Sequence, residues 1–399
     1  MKLKKDILIT LFSNLVLAFS QWVLIASLNY SGNIGVVGQY SYALALAGFF
    51  LTVGQVGLRQ YILSSSINVD QLEQLFVTRL LASILTWGLL VLYALLVVDD
   101  IYFWLVLLIG LAKIAENMSD LAHGFYQRKF MVMQIARSRI ARSIFTPLVF
   151  LGVFFNTDNI SYACVAMLIT WVIIFMVFDK EAMDTKQQGL NKVNFVPVIL
   201  VNAYPLGITS VLVLLVVSMP LFILAKMADD IQVGQYASVF YFVTAGSLIM
   251  QSVLQVISPI IVAHLKDRLH SNIITLAKNC YLLAIAYGLI GVFLAVYIGE
   301  WVLQLVYGDS FNGLGSLVVL AALINLALAI QAVGGIVLTA HGIFKFQMKV
   351  MSFSVLISAI AGYYCIINFG VSGAFYAGLL TALVIGICFG FRVIQELRK

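Results

Sequence analysis

The stretch VGQYSYALALAGFFLTVGQVGLR, Val37–Arg59, is the most informative part of the sequence because a related copy occurs later in the chain. It returns in altered form at Val233–Gln255 as VGQYASVFYFVTAGSLIMQSVLQ, with the same four-residue opening. Each copy is apolar and long enough to cross a bilayer as a helix. Each also carries a sparse polar face, which a helix in contact with lipid alone would not need. The pattern predicts two related helices that line a path for a polar molecule.

Composition places the whole chain in a membrane. Of its 399 residues, 62% are hydrophobic and only 10% are charged, against about 25% charged residues in ordinary soluble domains. A soluble protein of this length could not bury so much apolar surface, whereas a polytopic membrane protein exposes it to lipid. The cysteines lie inside apolar runs and are expected to be reduced and packed rather than disulfide-bonded.

Hydropathy predicts twelve membrane spans. The first six cover roughly 7–28, 38–60, 80–98, 101–122, 140–155 and 160–178, and the second six roughly 199–225, 234–258, 276–298, 316–340, 350–368 and 371–391. The fifth span is short and is expected to continue upstream into its basic flank. The predicted fold class is an all-α polytopic membrane protein.

The distribution of charge predicts the topology. When the loops are assigned alternately to the two sides, every Lys and Arg except Lys226 falls on the side of the N-terminus. The opposite loops are acidic. By the positive-inside rule both termini are expected to be cytoplasmic.

An internal repeat predicts two related halves. Ala122-His123-Gly124 after span four returns as Ala340-His341-Gly342 after span ten, each at the expected start of a basic loop. Each half holds six spans, an even number, so both halves have the same orientation. We therefore predict two parallel six-helix bundles, residues 1–194 and 195–399, around a central V-shaped cavity.

Polar side chains at helical spacing mark the expected cavity wall. Burying an unpaired polar group in lipid costs several kcal/mol, so such residues are expected to face a cavity or another helix. Ordinary hydrogen bonding between helices is the alternative to a lined cavity. The candidate cavity residues are Asn14, Gln21, Thr52, Gln55, Tyr241, Thr244, Gln251 and Gln255.

Span four carries three charges on one helical face, at Lys113, Glu116 and Asp120. An ion pair between Lys113 and Glu116 would offset the cost of burying each. Lys113 could meet an anionic ligand, and Glu116 and Asp120 could bind a coupling ion or form a gate. The alternative is a structural ion pair that closes the cytoplasmic side, which is favoured for Asp120.

The remaining cations lie near the predicted interfaces. Arg59 is expected near the cytoplasmic rim, where its side chain can reach the headgroups. Lys226 is expected to anchor the outer interface beside Asp229 or Asp230. A run of basic residues is expected to contact anionic lipid headgroups and so to keep its loop on the cytoplasmic side. Its members are Arg128, Lys129, Arg137, Arg139 and Arg142.

The sequence offers no motif for catalysis, metal binding or nucleic-acid recognition. No phosphate-binding glycine loop or nucleophile elbow occurs, and no cofactor is expected. The histidines, His123, His264, His270 and His341, are separated in sequence and are expected to be solvated or interfacial.

Three stretches carry a family resemblance. They are GQYSYALALAGFFLTVGQVGLRQYI, ENMSDLAHGFYQRKFMVMQIARSRIAR and LVYGDSFNGLGSLVVLAALINL. With twelve spans in two halves, the chain resembles the O-antigen (Wzx-type) flippases of the multidrug/oligosaccharidyl-lipid/polysaccharide exporter superfamily. The resemblance covers nearly the whole chain.

The resemblance implies a function. It suggests movement of an undecaprenyl-diphosphate-linked oligosaccharide from the inner to the outer leaflet of the bacterial plasma membrane, for surface polysaccharide synthesis. Arg59, Lys113 and Lys226 are the candidates to bind the diphosphate. A proton or a sodium ion is the candidate coupling ion. The expected partners are the lipid-linked oligosaccharide, membrane lipids and other surface-polysaccharide assembly proteins.

Two other functions remain open. A multidrug exporter of the same superfamily would favour acidic residues deep in spans one, two, seven and eight, and these spans contain none. A membrane polymerase or glycosyltransferase would be expected to carry a large outer loop with acids and arginines. The longest outer segment is Glu300–Gly315, and no predicted outer loop contains arginine.

Overall fold

The computed structural model describes residues 2–59, 62, 70–129, 131–183, 196–267 and 270–398. Side chains are described at these positions except at 2–7, 70–73, 101, 183, 196–206, 255, 256, 259, 266 and 270. The predicted boundary between the two halves, at residues 194 and 195, lies outside the described residues.

Long α-helices make up the fold, as expected for a chain whose backbone polar groups must be satisfied internally in hydrocarbon. They are α1 (Lys2–Tyr30), α2 (Ile34–Val53), α3 (Asp70–Val97), α4 (Asp100–Arg128), α5 (Val132–Thr157), α6 (Ile160–Ile174), α7 (Val196–Met227), α8 (Asp230–Lys266), α9 (His270–Tyr307), α10 (Gly315–Ala340) and α11 (Phe344–Leu397). A π-helical turn, Phe175–Asp179, and a 3₁₀ turn, Lys180–Met183, follow α6, and a 3₁₀ turn, Asp309–Phe311, follows α9.

The helices account for the twelve predicted spans. In the described part of the chain, ten helices are long and apolar enough to cross a membrane. One of these, α11, has non-helical backbone at Gly370 (φ 55°, ψ −129°), which divides it into two spans. The remaining span, the fourth in chain order, is α4, which is 29 residues long but carries several charges. The all-α polytopic fold class is therefore confirmed, and so is the upstream continuation of span five, since α5 begins at Val132.

The prediction of one continuous second span over residues 38–60 is wrong. Helix α2 ends at Val53, and a turn covers residues 54–57. Val56 and Gly57 both have left-handed backbone, with φ of 50° and 68°. Glycine adopts this conformation without strain, whereas a β-branched valine does so at a cost. Thr52, Gln55 and Arg59 therefore do not share one straight helical face.

The helices divide into two compact units, Met1–Leu24 with Gln39–Leu214 and Ile25–Gly38 with Leu215–Lys399. In the first unit α4 packs against α3 and α6. In the second unit α10 packs against α8, α9 and α11. The repeat-equivalent spans four and ten thus occupy comparable positions, each packed against several neighbours in its own unit.

The repeated VGQY motif has a structural role in the second unit. Its two glycines, Gly38 and Gly234, lie where the starts of α2 and α8 meet. A methyl group on Gly38 would lie 2.9 Å from the backbone N of Gly234 and would overlap the carbonyl oxygen of Asp230. Close by, the Asn29 side-chain amide donates to the Ser238 hydroxyl at 2.7 Å. Only glycine permits so close an approach of two backbones.

The motif's tyrosines are buried in equivalent ways. Tyr40 packs edge-on against Phe150 of α5, with ring centroids 5.4 Å apart. Tyr236 packs against Phe375 of α11, with centroids 4.8 Å apart. The Tyr40 hydroxyl also lies 3.7 Å from the sulfur of Met167 in the sixth span, and Phe375 belongs to the twelfth, so each tyrosine contacts the last span of its half. This correspondence supports the internal repeat.

We predict that Gly38→Ala destabilises the protein by about 1–3 kcal/mol, because the added methyl overpacks the contact with α8. The matched control is Gly48→Ala, in the same helix, where an added methyl meets no atom within 4 Å. That control should be neutral or stabilising, since alanine favours helix over glycine. Thermal unfolding in detergent measures both, and equal melting temperatures for the two variants would contradict the contact.

Candidate functional site

The break after α2 is built around a buried asparagine of α4. In a continuous helix the Leu51 carbonyl would accept from the Gln55 amide, but that amide donates to the Thr52 carbonyl instead, at 3.1 Å. The side-chain amide of Asn117 takes its place and donates to the Leu51 carbonyl at 2.9 Å. The side-chain carbonyl of Asn117 in turn accepts from the Gln55 side chain at 3.0 Å. The broken helix therefore keeps these polar groups satisfied within the membrane.

Arg79 of α3 holds the other side of the break. Its side chain is fully buried. One terminal nitrogen donates to the Gln55 carbonyl, and Nε donates to the backbone carbonyl of Asn117 at 3.2 Å. Its second terminal nitrogen donates to Oδ2 of Asp120 at 2.8 Å. The planar guanidinium can bridge three acceptors in this way because its donors lie in a fixed fork.

Asp120 is shared between two arginines. Its Oδ2 faces Arg79, and its Oδ1 lies 2.6 Å from Arg59, whose side chain is 25% exposed. Arg59 also donates to the side chain of Gln127 at 3.0 Å. One carboxylate thus faces two positive charges, of which one is buried and the other is partly accessible.

The predicted ion pair between Lys113 and Glu116 is present, with the charged atoms 2.6 Å apart. Arg142 of α5 lies 3.7 Å from the other oxygen of Glu116 and donates to the Ser119 hydroxyl at 2.8 Å. Lys113 and Arg142 both lie over the ring of Trp171, at 5.7 and 5.1 Å from its centroid, where cation–π attraction offsets part of their desolvation.

The two sets of charges share one pattern. In each, a carboxylate of α4 faces two cations, one more buried than the other. Side-chain exposure is 0% for Arg79 and 10% for Arg142, against 25% for Arg59 and 21% for Lys113. Glu116 and Asp120 lie one helical turn apart, a rise of about 6 Å. The two more accessible cations, Arg59 and Lys113, are two of the three predicted diphosphate ligands.

His123 and Asp179 form a further buried pair, so the prediction of a solvated or interfacial His123 is wrong. His123 lies inside α4, with Nε2 3.3 Å from Oδ1 of Asp179. Ser138 of α5 donates to Oδ2 of the same carboxylate at 2.8 Å. Tyr126 donates to the carbonyl of Phe178 in the π-helical turn at 3.1 Å. The end of α6 is thereby fixed against α4 and α5.

The repeated Ala-His-Gly tripeptide plays different parts in the two halves. Gly124 lies within α4, where an added methyl would come 3.1 Å from Cγ of Arg59, so its small size leaves room for the arginine stem. His341 and Gly342 instead end α10, and Gly342 has left-handed backbone with φ of 73°. The predicted loop start is therefore correct for the second copy and wrong for the first.

The remaining predicted cavity residues of the first unit have separate surroundings. The side-chain oxygen of Asn14 in α1 accepts a hydrogen bond from Arg139 of α5. Thr52 is half-buried near the end of α2, and Gln21 is exposed.

The predicted residues of the second unit have mixed environments. Tyr241 is buried, and the hydroxyl of Thr244 donates to a carbonyl one turn earlier in α8, at 3.4 Å. Gln251 and Lys226 are exposed. The side chain of Gln255 lies outside the described residues.

Four residues of the network were missed or misplaced on sequence grounds. The sequence predicts no role for Arg79, Asn117 or Asp179 and places Arg142 at the headgroups. That assignment is wrong, because α5 begins early enough to carry Arg142 into the helix packing, where it is buried. For Asn117 a signal existed, since it shares the polar face of α4 with Lys113. Arg79 preceded the predicted third span, whereas α3 encloses it within the candidate span Gln74–Val97.

The second unit contains an apolar cavity of about 320 Å³ between α8, α9 and α10. Two polar side chains in its wall turn toward the backbone of α8: Tyr287 donates to the Gly246 carbonyl at 2.9 Å and Asn325 donates to the Phe242 carbonyl at 3.0 Å. Among the described residues that line this cavity, none is charged. The polar network of the first unit is therefore the better candidate site for a charged ligand.

This arrangement of helices is the fold of MATE transporters, and the chain is a multi-pass membrane protein of that fold class. A multidrug resistance MATE transporter of the MOP superfamily in an inward-facing conformation matches 98% of this chain and 94% of its own, with a TM-score of 0.74 and 11% identity. A mutant of the Vibrio cholerae MATE transporter VcmN matches 100% and 96%, with a TM-score of 0.67 and 13% identity. At these identities the likeness shows the fold alone.

In sequence, the chain is similar to the capsular polysaccharide biosynthesis protein CapF of Staphylococcus aureus. The two are 20% identical over 304 residues, which cover 75% of this chain and 76% of the relative. No protein-family model matches the chain.

We predict that Asp179→Ala lowers stability by about 1–3 kcal/mol, because it leaves His123 and Ser138 without their buried partner. Glu181→Ala is the matched control, since Glu181 is an exposed carboxylate two residues away. Melting temperatures in detergent compare the two. If both variants have the melting temperature of the wild type, the Asp179 carboxylate does not stabilise the end of α6.

Proposed function

We propose that this protein is a flippase that moves an undecaprenyl-diphosphate-linked oligosaccharide from the inner to the outer leaflet of a bacterial plasma membrane. The observation that carries the proposal is the pair of partly exposed cations, Arg59 and Lys113, each at a carboxylate that already faces a second cation. A diphosphate esterified at both ends keeps one acidic oxygen on each phosphate. Its negative charges suit two accessible cations whose carboxylate partners, Asp120 and Glu116, lie one helical turn apart.

The charge balance favours an anion at this site. Arg59 and Arg79 face Asp120, and Lys113 and Arg142 face Glu116, so four cations share two carboxylates. Charge within a membrane is costly unless it is paired. An anionic ligand compensates the surplus positive charge, whereas a cationic ligand adds to it.

The predicted topology indicates on which side of the membrane the site lies. With both termini cytoplasmic, α4 runs from the outer face inward, so Lys113, Glu116 and Asp120 occupy the inner half of the membrane. This location is suited to a lipid-linked substrate made on the cytoplasmic side. Lys226, at the opposite end of a span, would meet the diphosphate only on the outer side.

The physics of the cargo fits a carrier of this kind. A glycan with many hydroxyls and a diphosphate cannot cross hydrocarbon unaided. Polar side chains of the first unit such as Thr52 and Gln55 could replace its water, while the lipid tail stays in the bilayer. Outward movement of each negative charge through an inside-negative potential is favoured by about 2.3 kcal/mol per 100 mV. A proton or sodium ion, received at Glu116 or Asp120, could drive the return of the empty carrier by alternating access.

The sequence similarity to CapF supports a role in surface polysaccharide synthesis, because that relative is described as a capsular polysaccharide biosynthesis protein. Assembly proteins of the same process would then be partners. The MATE fold favours a second candidate, export of organic cations, since the structural relatives include multidrug transporters. The excess of positive charge around α4 favours the anionic cargo over the cationic one.

We predict that deleting the gene leaves a lipid-linked glycan on the cytoplasmic leaflet. Leaflet-resolved labelling of lipid-linked sugars in the deletion strain measures this, and the intact gene supplied on a plasmid is the control. Normal appearance of the glycan on the outer surface of the deletion strain would refute the proposed function.

We further predict that Arg59→Gln and Lys113→Gln each reduce glycan export by about 10- to 100-fold at normal protein levels, the effect of losing one charge-assisted hydrogen bond. Arg137→Gln is the matched control, because Arg137 is an exposed cation of α5. Quantified surface glycan, normalised to membrane abundance, gives the comparison. Export at wild-type rates by both variants would show that these cations do not bind the diphosphate.

A further inference from the structure

The fully buried Arg79 has no direct access to a ligand, yet it joins the break after α2 to the charge pair on α4. We propose that Arg79 is a positioning residue that permanently neutralises Asp120, so that Arg59 can leave that carboxylate and bind an anion. This inference rests on the proposed function and assigns different roles to two arginines that contact the same carboxylate.

The geometry separates the two arginines. Arg79 donates three hydrogen bonds, to the backbone carbonyls of Gln55 and Asn117 and to one oxygen of Asp120. Two of these acceptors are backbone carbonyls, which cannot move unless the break or α4 itself shifts. Arg59 uses its terminal nitrogens on two side chains, Asp120 and Gln127, and is one-quarter exposed. The buried arginine is therefore fixed, and the exposed one can exchange partners.

Arg79 keeps the charge of Asp120 compensated after Arg59 moves away. Removing the partner of a buried charge is strongly destabilising because the other charge is left uncompensated. Asp120, whose side chain is three-quarters shielded from solvent, does not incur that cost, since Arg79 still lies 2.8 Å from its Oδ2. Arg59 can then bind a phosphate oxygen, and no unpaired carboxylate is left behind. Without Arg79 the same movement would leave Asp120 alone in the membrane, and Arg59 would be held in place.

The backbone around Arg59 is suited to such an exchange. Arg59 lies two residues after Gly57, at the end of a turn in which Val56 also has left-handed backbone. The close approach of α7 depends on Gly207, where an added methyl would lie 2.9 Å from the carbonyl carbon of Val56. On the other side, Gly124 leaves room for the Arg59 stem. Leu58 and Ile62 anchor the segment, because both are fully buried in an apolar cluster with α3 and α4. An exchange of partners therefore needs only the Arg59 side chain to move.

Arg142 has the corresponding place beside Glu116, although its distance of 3.7 Å is longer. It too is more buried than the cation with which it shares the carboxylate, Lys113. The sharper test is at Arg79, where the contact with the carboxylate is short and the burial complete.

A charge-rescue experiment tests the inference. Purified protein in detergent is titrated with farnesyl diphosphate, and binding is followed calorimetrically. Arg79→Gln is expected to weaken binding by about 10- to 100-fold, because Arg59 must then stay with Asp120. Adding Asp120→Asn to that variant should restore affinity to within about threefold of the wild type, because the uncharged carboxamide no longer holds Arg59. A purely structural role for Arg79 would not be repaired by a second change in the same network.

Two further variants keep the test decisive. Arg79→Lys preserves the buried charge and should bind the diphosphate better than Arg79→Gln. If Arg79→Gln does not accumulate in the membrane, the double variant is compared with the triple variant that adds Arg59→Gln. The double should bind and the triple should not, since the triple lacks the ligand-binding cation itself. Equal binding by the double and the triple would overturn the inference.

The outcomes separate this inference from the proposed function. If the wild type binds the diphosphate and Arg79→Gln binds it equally well, or the double variant stays as weak as Arg79→Gln, the role assigned to Arg79 is wrong and the flippase proposal stands. If the wild type neither binds farnesyl diphosphate nor moves the lipid-linked glycan in the leaflet assay, the proposed function itself fails.

Discussion

The sharing of two carboxylates of α4 among four cations is the interaction on which the first unit depends. An unpaired ion in hydrocarbon costs a few kcal/mol or more. Each charged side chain within the spans therefore needs an oppositely charged neighbour. Asp120 joins α4 to the segment after α2 and to α3, and Glu116 joins α4 to α5. The ion pairs that compensate the buried charges therefore also determine which elements pack against α4.

The break after α2 is a second consequence of the same constraint. A helix cannot end inside a membrane unless other groups satisfy its carbonyls. Asn117 and Arg79 supply the missing donors to Leu51 and Gln55. Because Arg79 also neutralises Asp120, the polar requirements of the broken backbone and of the carboxylate are met by one guanidinium. Backbone geometry and electrostatics at this site cannot be altered independently.

The two halves of the repeat have diverged in their use of charge. The equivalents of Lys113 and Glu116 in the second half are Gln331 and Gly334, and the described part of the second unit has an apolar cavity among α8, α9 and α10. The packing roles of the VGQY tyrosines and of the central spans α4 and α10 are kept. The two halves thus share their packing contacts, while the site that we propose for an anion is confined to the first unit.

The number of spans, the all-α class, the internal repeat and the pairing of Lys113 with Glu116 can all be predicted from the sequence, because hydropathy and helical spacing are local properties of the chain. Sequence alone could not locate the break after α2, since a left-handed valine has no local signal. Nor does it reveal Arg79, Asp179 or the burial of Arg142, because each acts on partners from distant helices. Asn117 shares the polar face of α4 with Lys113, but its role depends on a break in another helix. Which cation lies buried and which stays accessible is decided only when α3, α4 and α5 pack together.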